Sequence, residues 1–128
     1  MVQLITQGIS ITVETYYNYE QSNPLLNEHT FAYKVTIDNL SNFPVKLLRR
    51  HWQIFDSNAT HREVEGEGVV GQQPILEPGE SFQYMSGVSI RTEIGRMVGK
   101  YQMENMLNKN LFSINIPEFE LVAPHKLN

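Results

Sequence analysis

Residues 31–37 read Phe-Ala-Tyr-Lys-Val-Thr-Ile, with a large apolar or aromatic side chain at every second position. Residues 9–15 read Ile-Ser-Ile-Thr-Val-Glu-Thr and alternate in nearly the same way. Successive side chains of a β-strand point to opposite faces, so each stretch predicts a strand that buries one face. The period of two favours an all-β chain.

Comparable runs continue along the sequence, separated by turn-forming Asn, Asp, Ser, Gly and Pro residues at 23–24, 41–44, 56–58, 77–80 and 108–110. Residues 102–108 also fit a short helical face, but we interpret them as strand and turn because they end in an Asn-rich segment. Together these short strands, about seven to eight in number, predict an immunoglobulin-like antiparallel β-sandwich. Besides the two runs above, the predicted strands are Val45–Phe55, Arg62–Glu65, Phe82–Ile90, Met97–Met103 and Leu111–Val122, the last broken at Pro117.

The only tryptophan lies in the strand predicted over Val45–Phe55. Alternation places Leu48, Trp52 and Ile54 on one face, which we assign to the core because an indole buries a large apolar area. The opposite face would carry Arg49, His51 and Gln53.

Composition limits the class of protein. A chain of 128 residues with 41% hydrophobic and 19% charged residues predicts one folded domain over residues 1–128. A net charge of −4 disfavours a general nucleic-acid or anionic-membrane binder. The absence of cysteine excludes disulfides and thiolate chemistry, and the start at Met1 has no signal-peptide pattern, so we expect a cytoplasmic protein.

The segment Gly66-Glu67-Gly68-Val69-Val70-Gly71 has the glycine spacing of dinucleotide-binding loops. Pro74 and Pro78 follow where such a loop requires a helix, which disfavours a Rossmann-type site. A nest of backbone amides at Gly66, Gly68 and Gly71 remains a candidate anion site. The alternative is that these glycines serve turns or close backbone approach.

Two arginines are candidates to complete such an anion site. Arg49 and Arg91 could add positive charge, since a guanidinium binds phosphate or carboxylate through two parallel hydrogen bonds. Glu67 inside the loop counts against the hypothesis because it repels anions.

No pattern predicts catalysis or a metal centre. Ser86 lacks the strand–turn–helix context of a nucleophile, and Glu63 with Glu65 is interpreted as a charged edge that discourages aggregation. A metal site joining His51 to Asp56 in space is an alternative without supporting spacing. We therefore expect no enzyme activity, no catalytic residue and no cofactor. The histidines are scattered at His29, His51, His61 and His125.

The central part of the chain carries a specific pattern of residues. It reads Arg50-His51-Trp52-x-Ile54-x-Asp56, then Glu63-Val64-x-Gly66-x-Gly68-Val69-Val70-Gly71-x-Gln73-Pro74-x-Leu76-x-Pro78-Gly79-Glu80. It resembles the ApaG family, and the resemblance continues in register over essentially the whole chain. The sequence departs from the family at Glu93, where proline is usual, and at Ala59-Thr60, where glycine is usual.

The resemblance implies an immunoglobulin-like or fibronectin type III-like sandwich without a settled activity. The family carries a cobalt/magnesium efflux label and often neighbours a diadenosine tetraphosphate hydrolase in bacterial genomes. Related domains occur in F-box proteins and a polymerase-delta-interacting protein. This implies a non-enzymatic module for protein–protein interaction, with an indirect link to cobalt/magnesium resistance.

Two other functions stay open at this point. One is binding of pyrophosphate or a dinucleoside polyphosphate through the Gly66–Gly71 loop, and the other is a soluble divalent-metal sensor or buffer. For partners we expect an unidentified protein and a small anionic ligand, but neither nucleic acid nor membrane. Because exposed strand edges pair readily, the chain is expected to be a monomer or a weak homodimer.

Overall fold

The alternating segments form nine β-strands in a computed structural model that describes residues 1–124, so His125 lies outside the described residues. Within that range the helical structure is limited to 3-10 geometry, notably the single turn Pro24–Leu26, and no helix is long and apolar enough to cross a membrane. The strands are β1 (Val2–Thr6), β2 (Ile9–Tyr17), β3 (His29–Asn39), β4 (Val45–Asp56), β5 (His61–Glu67), β6 (Ile75–Leu76), β7 (Ser81–Ile90), β8 (Ile94–Asn105) and β9 (Leu111–Val122).

The strands pair into two antiparallel sheets that pack face to face, which confirms the predicted sandwich. One sheet has the order β1-β2-β3-β7, and the other has the order β5-β4-β8-β9 with the short β6 beside β4. Strands β1 and β9 lie next to each other on one side of the sandwich, where the Asn115 amide donates to Thr6 Oγ1. The short strands β1 and β6 are the two that alternation did not predict.

Alternating residues of both sheets fill the space between them. In β3 every second residue, including Tyr33 and Val35, is buried. Trp52 of the opposite sheet is only 2% exposed, and its ring lies 5.5 Å from Tyr33 and 5.8 Å from Phe119 in edge-to-face contacts. The prediction that Trp52 fills the core is confirmed.

Strand β4 departs from simple alternation at Leu48. Its neighbour Leu47 pairs with Met103 of β8 and Arg49 pairs with Gln102, so Leu48 is the extra residue of a β-bulge. Leu47 is buried before the bulge and Trp52 after it, whereas Leu48 is only half-buried. The prediction that Leu48 shares a buried face with Trp52 is wrong, because one extra residue reverses which side chains point inward.

Strand β9 continues through Pro117, where the sequence predicted a break. Met97 of β8 pairs with Phe119 and Gly99 pairs with Ile116, so the register shifts at the proline. Proline cannot donate to a ladder and is tolerated at bulges and on edge strands, and β9 is an edge strand. The predicted break is a bulge within one strand.

The turn between β4 and β5 contains a strained residue. Ala59 has a φ of +71°, in the left-handed region that favours glycine. Ala59 belongs to the Ala59-Thr60 pair, at which the sequence departs from the pattern of the family that it resembles. The β4–β5 pairing beside this turn is regular from Arg49–Glu67 to Phe55–His61.

Candidate functional site

The glycine-rich loop after β5 holds the bulge of β4 in place. The Gly68 amide donates to the Leu48 carbonyl at 2.8 Å, and Gln73 Nε2 donates to the same carbonyl at 3.0 Å. A bulge leaves backbone groups outside the regular ladder, so these two bonds satisfy a carbonyl that the bulge displaces. We call Leu48, Arg50, Gly66–Gly68 and Gln73 the glycine clasp.

Arg50 closes the glycine clasp from the inner side of the sheet. Its Nη1 donates to the carbonyls of Glu67 at 3.1 Å and Gly68 at 3.0 Å. A Cβ on Gly66 would lie 2.8 Å from that same nitrogen, and a Cβ on Gly68, whose φ is +63°, would lie 2.2 Å from the Gln72 carbonyl oxygen. The first two glycines of the motif therefore make room for an arginine and a tight turn.

The rest of the loop is a two-residue hairpin turn. Val69 and Gln72 exchange backbone hydrogen bonds of 2.8 and 2.9 Å around Val70 and Gly71, which have φ values of +43° and +80°. Positive φ at both central residues is typical of a type I′ turn. The loop thus uses the amides of Val69 and Gln72 internally, and an anion would have to bind through those of Val70 and Gly71.

The structure separates the residues predicted for the anion site. Gly66 lies near the end of β5, and Gly68 and Gly71 lie in the loop that follows it. The side chain of Arg49 is exposed on the outer face of the sheet, the face opposite the glycine clasp. The Arg91 amide donates to Asp56 Oδ2 at the far end of β4, about 24 Å from Arg49 at about 3.4 Å per residue. Neither the Arg49 side chain nor Arg91 therefore lies beside the glycines. Anion binding by the loop itself stays a prediction.

The outer face of β4 and β5 carries a cluster that linear spacing did not reveal. Hairpin pairing places His51 opposite Glu65, with Glu63 two residues away on the same face. His51 Nε2 lies 3.4 Å from Glu63 Oε2 and 3.5 Å from Glu65 Oε1. This nitrogen is buried and makes no hydrogen bond. We call these three residues the His51 cluster.

The His51 cluster has the donor atoms of a metal site. One imidazole nitrogen and two carboxylate oxygens lie within 4.8 Å of one another. Nitrogen and oxygen donors together suit cobalt, nickel or zinc, whereas magnesium prefers an all-oxygen octahedron. The predicted pairing of His51 with Asp56 is not what the structure shows, since Asp56 binds the Arg91 amide instead.

An open depression of about 380 Å³ adjoins the His51 cluster on the same face of the sheet. Its lining is apolar at Val98, Ile116, Pro117 and Leu4 of β1, and polar elsewhere. Such a lining is typical of a site for a small ligand or for a partner's side chain. The polar lining residues are His51, Gln53, Lys100, Asn115 and Glu118.

Three tyrosines carry polar groups into the core near Arg50. The hydroxyls of Tyr84 and Tyr101 hydrogen-bond to each other, and burial raises the pKa of both and of Tyr33. The Arg50 guanidinium opposes the rise at each of them. Tyrosine is neutral at physiological pH even at its ordinary pKa, and the raised pKa values keep these three hydroxyls neutral into more alkaline solution. They therefore act as structural hydrogen-bonding groups.

Replacing Arg50 tests whether the glycine clasp is structural. We expect Arg50→Met to lower the free energy of unfolding by about 1.5–3 kcal/mol, because two charged hydrogen bonds to carbonyls are lost. The matched Arg49→Met variant removes a guanidinium from the exposed outer face and should change it by less than about 0.5 kcal/mol. Urea unfolding measures both, and equal losses would contradict the assignment.

The chain is similar to one protein-family model, to named bacterial proteins and to a solved structure. The model of the ApaG domain family matches residues 19–105. Proteins named ApaG from Brucella anthropi and Brucella canis are each 46% identical over 126 residues, covering 98% of this chain and 96% of theirs. The crystal structure of an ApaA protein from Bordetella pertussis superposes with a TM-score of 0.88 at 42% identity, covering 91% of this chain and 94% of that one.

Proposed function

The chain belongs to the ApaG domain family, and we propose that it is a non-enzymatic module that binds a partner protein. The observation that carries this proposal is the outer edge of β7, the last strand of the four-stranded sheet, which pairs with no further strand within residues 1–124. We call it the free edge of β7. An exposed strand edge presents a row of backbone donors and acceptors to another chain.

The outward groups of β7 can be identified from its neighbours. At one end the Asn39 amide of β3 donates to the Glu80 carbonyl, and at the other end the Arg62 side chain donates to the Ser89 carbonyl. Because backbone groups alternate in direction along an antiparallel strand, Gln83, Met85 and Gly87 direct theirs away from β3. These three residues form the free part of the edge.

The β7 edge lacks the features that protect other edges. Its ten residues contain neither a charged residue nor proline, and its register with β3 is unbroken. In contrast the edge strand β5 carries charged side chains at most of its positions. Natural proteins use charge, proline and bulges to prevent edge pairing, so an unprotected edge favours a role in strand addition.

Affinity capture with mass spectrometry tests the protein-binding function. With the folded chain as bait, we expect at least one protein to be enriched over an unrelated immunoglobulin-like domain of similar charge. That protein should then bind the purified chain in direct titration, with a Kd of about 1–100 μM, typical of a transient interaction. A monodisperse, folded bait that captures nothing above the control would contradict the proposal.

A second candidate function is binding of a divalent transition metal, and the buried, unbonded Nε2 of His51 between two carboxylates favours it. A bound ion would join β4 to the edge strand β5. The donor set favours cobalt over magnesium. A transition-metal ion such as cobalt binds imidazole nitrogen well, whereas magnesium prefers oxygen ligands.

Calorimetry with cobalt and magnesium chloride tests the His51 cluster. We expect one cobalt ion per chain and no measurable magnesium binding. The Glu63→Gln/Glu65→Gln variant should bind cobalt at least about ten-fold more weakly, which corresponds to about 1.4 kcal/mol. Glu67→Gln, two residues further along the same face, is the matched control. If that control and the double variant bind cobalt equally, the assignment is wrong.

A further inference from the structure

We propose that the partner supplies an extended acidic segment, which lies between the outer edge of β7 and the inner face of β5. This inference rests on the proposed protein-binding function and assigns the partner's position and its chemistry. We call the space between these two strands the β7–β5 slot. Four observations carry the proposal. The inner face of β5 is uncovered, and the outer backbone edge of β7 is unpaired. Arg50 and Arg62 have no carboxylate partner among residues 1–124, and the inward side chains of β7 include no carboxylate that a second copy could supply.

Among residues 1–124, no strand packs over the inner face of β5. Trp52 and Val64 are paired neighbours on adjacent strands, and their side chains therefore point to the same face. Trp52 is 2% exposed, whereas Val64 is 39% exposed. The facing sheet thus covers β4 but ends before it reaches β5. Every residue of β5 is at least partly exposed.

The strand at which the facing sheet ends is β7. The Arg62 side chain of β5 crosses the gap between the sheets and donates to the Ser89 carbonyl on the outer edge of β7. A further strand beside β7 would lie about 4.8 Å beyond it, and packed sheets are about 10 Å apart. An added strand would therefore pair with β7 through its backbone and lie over Val64.

Two arginines along the slot favour an acidic segment, while Glu28 and Asp56 line the end of the slot where Arg62 reaches Ser89. Arg62 and Arg50 lie on the inner face on either side of Val64, and neither is in any ion pair found among residues 1–124. Arg50 donates to backbone carbonyls, which leaves its net charge without a counter-ion. The acidic groups Glu63 and Glu65 point to the opposite face.

These positions define a side-chain pattern for the partner. Residues that face the same side of a strand are two apart, so the inward side chains should read carboxylate, apolar, carboxylate at alternate positions. The apolar residue would cover Val64, and the carboxylates would pair with Arg62 and Arg50. A guanidinium–carboxylate pair can form two parallel hydrogen bonds, which adds specificity to the backbone pairing.

The same chemistry argues against a second copy of the chain as the occupant. In an antiparallel β7–β7 pair, the inward side chains of the added strand already lie toward that copy's own core and include no carboxylate. These side chains are Phe82, Tyr84, Ser86 and Val88. A separate extended segment can present acidic side chains freely.

Fluorescence anisotropy with two labelled synthetic peptides tests the proposal. One has the sequence Thr-Glu-Thr-Val-Thr-Glu-Thr, and in the other lysine replaces both glutamates. We expect the acidic peptide to bind at least about ten-fold more tightly than the basic one. Failure of both peptides to bind, or equal affinity for the two, would overturn the proposal.

Variants at Met85 on the edge of β7 and at Arg62 on the inner face of β5 locate the bound peptide. Met85→Pro removes one outward backbone N–H without touching the β3 ladder, and Met85→Ala loses the same side chain but keeps that donor. We expect the proline variant to bind the acidic peptide at least about ten-fold more weakly than the alanine variant.

Arg62→Glu, a change at an exposed side chain, should reverse the preference between the two peptides. Unchanged binding in Arg62→Glu would overturn the slot assignment even if the proline variant did not fold.

Sedimentation and partner capture separate this inference from the function on which it rests. A concentration-dependent dimer that Met85→Pro abolishes would show that the occupant is a second copy and overturn the acidic partner. If a captured partner binds wild type, Met85→Pro and Arg62→Glu equally, the slot is wrong although the protein-binding function stands. If no partner is captured at all, the proposed function itself fails.

Discussion

The extra residue at Leu48 sets the direction of every side chain that follows it in β4. With it, Arg50, Trp52 and Ile54 point into the sandwich, while Arg49 and His51 point outward. A bulge reverses the alternation of one strand relative to its neighbours. The competing arrangement is a regular ladder without the extra residue, so the bulge needs interactions that stabilise it. Two hydrogen bonds from Gly68 and Gln73 to the Leu48 carbonyl hold it.

The bulge links features that lie far apart in the sequence. Because Arg50 points inward, its guanidinium can bind the carbonyls of Glu67 and Gly68 where β5 ends, and the Gly68 amide in turn holds the bulge. Because His51 points outward, it meets the two glutamates that the hairpin register brings from β5. One backbone irregularity therefore produces both the glycine clasp and the candidate metal site on opposite faces of the same sheet.

Sequence reasoning predicted the sandwich, most strand positions and the central role of Trp52, because strict alternation over β2 and β3 depends only on local chemistry. It failed at Leu48 because a bulge is stabilised by a loop some twenty residues later in the chain. The His51 cluster was missed because its members are close only across a hairpin. The turn residues at 56–58, with the β5 pattern after them, were the available signal. Counting outward from that turn pairs residue 51 with residue 63, whereas the structure, in which Phe55 pairs with His61, pairs it with residue 65. The free edge of β7 depends on the order of strands in the sheet, which the pattern of a single strand does not reveal.

Comparing Leu47→Ala with Leu48→Ala by urea unfolding tests the bulge most directly. The structure predicts that Leu47→Ala lowers the free energy of unfolding by about 2–5 kcal/mol, the usual cost of truncating a buried leucine. Leu48→Ala should lower it by less than about 1 kcal/mol, as at sites outside the core. The reverse order, with Leu48→Ala the more damaging change, would mean that β4 is regular and that Arg50 and His51 point the other way.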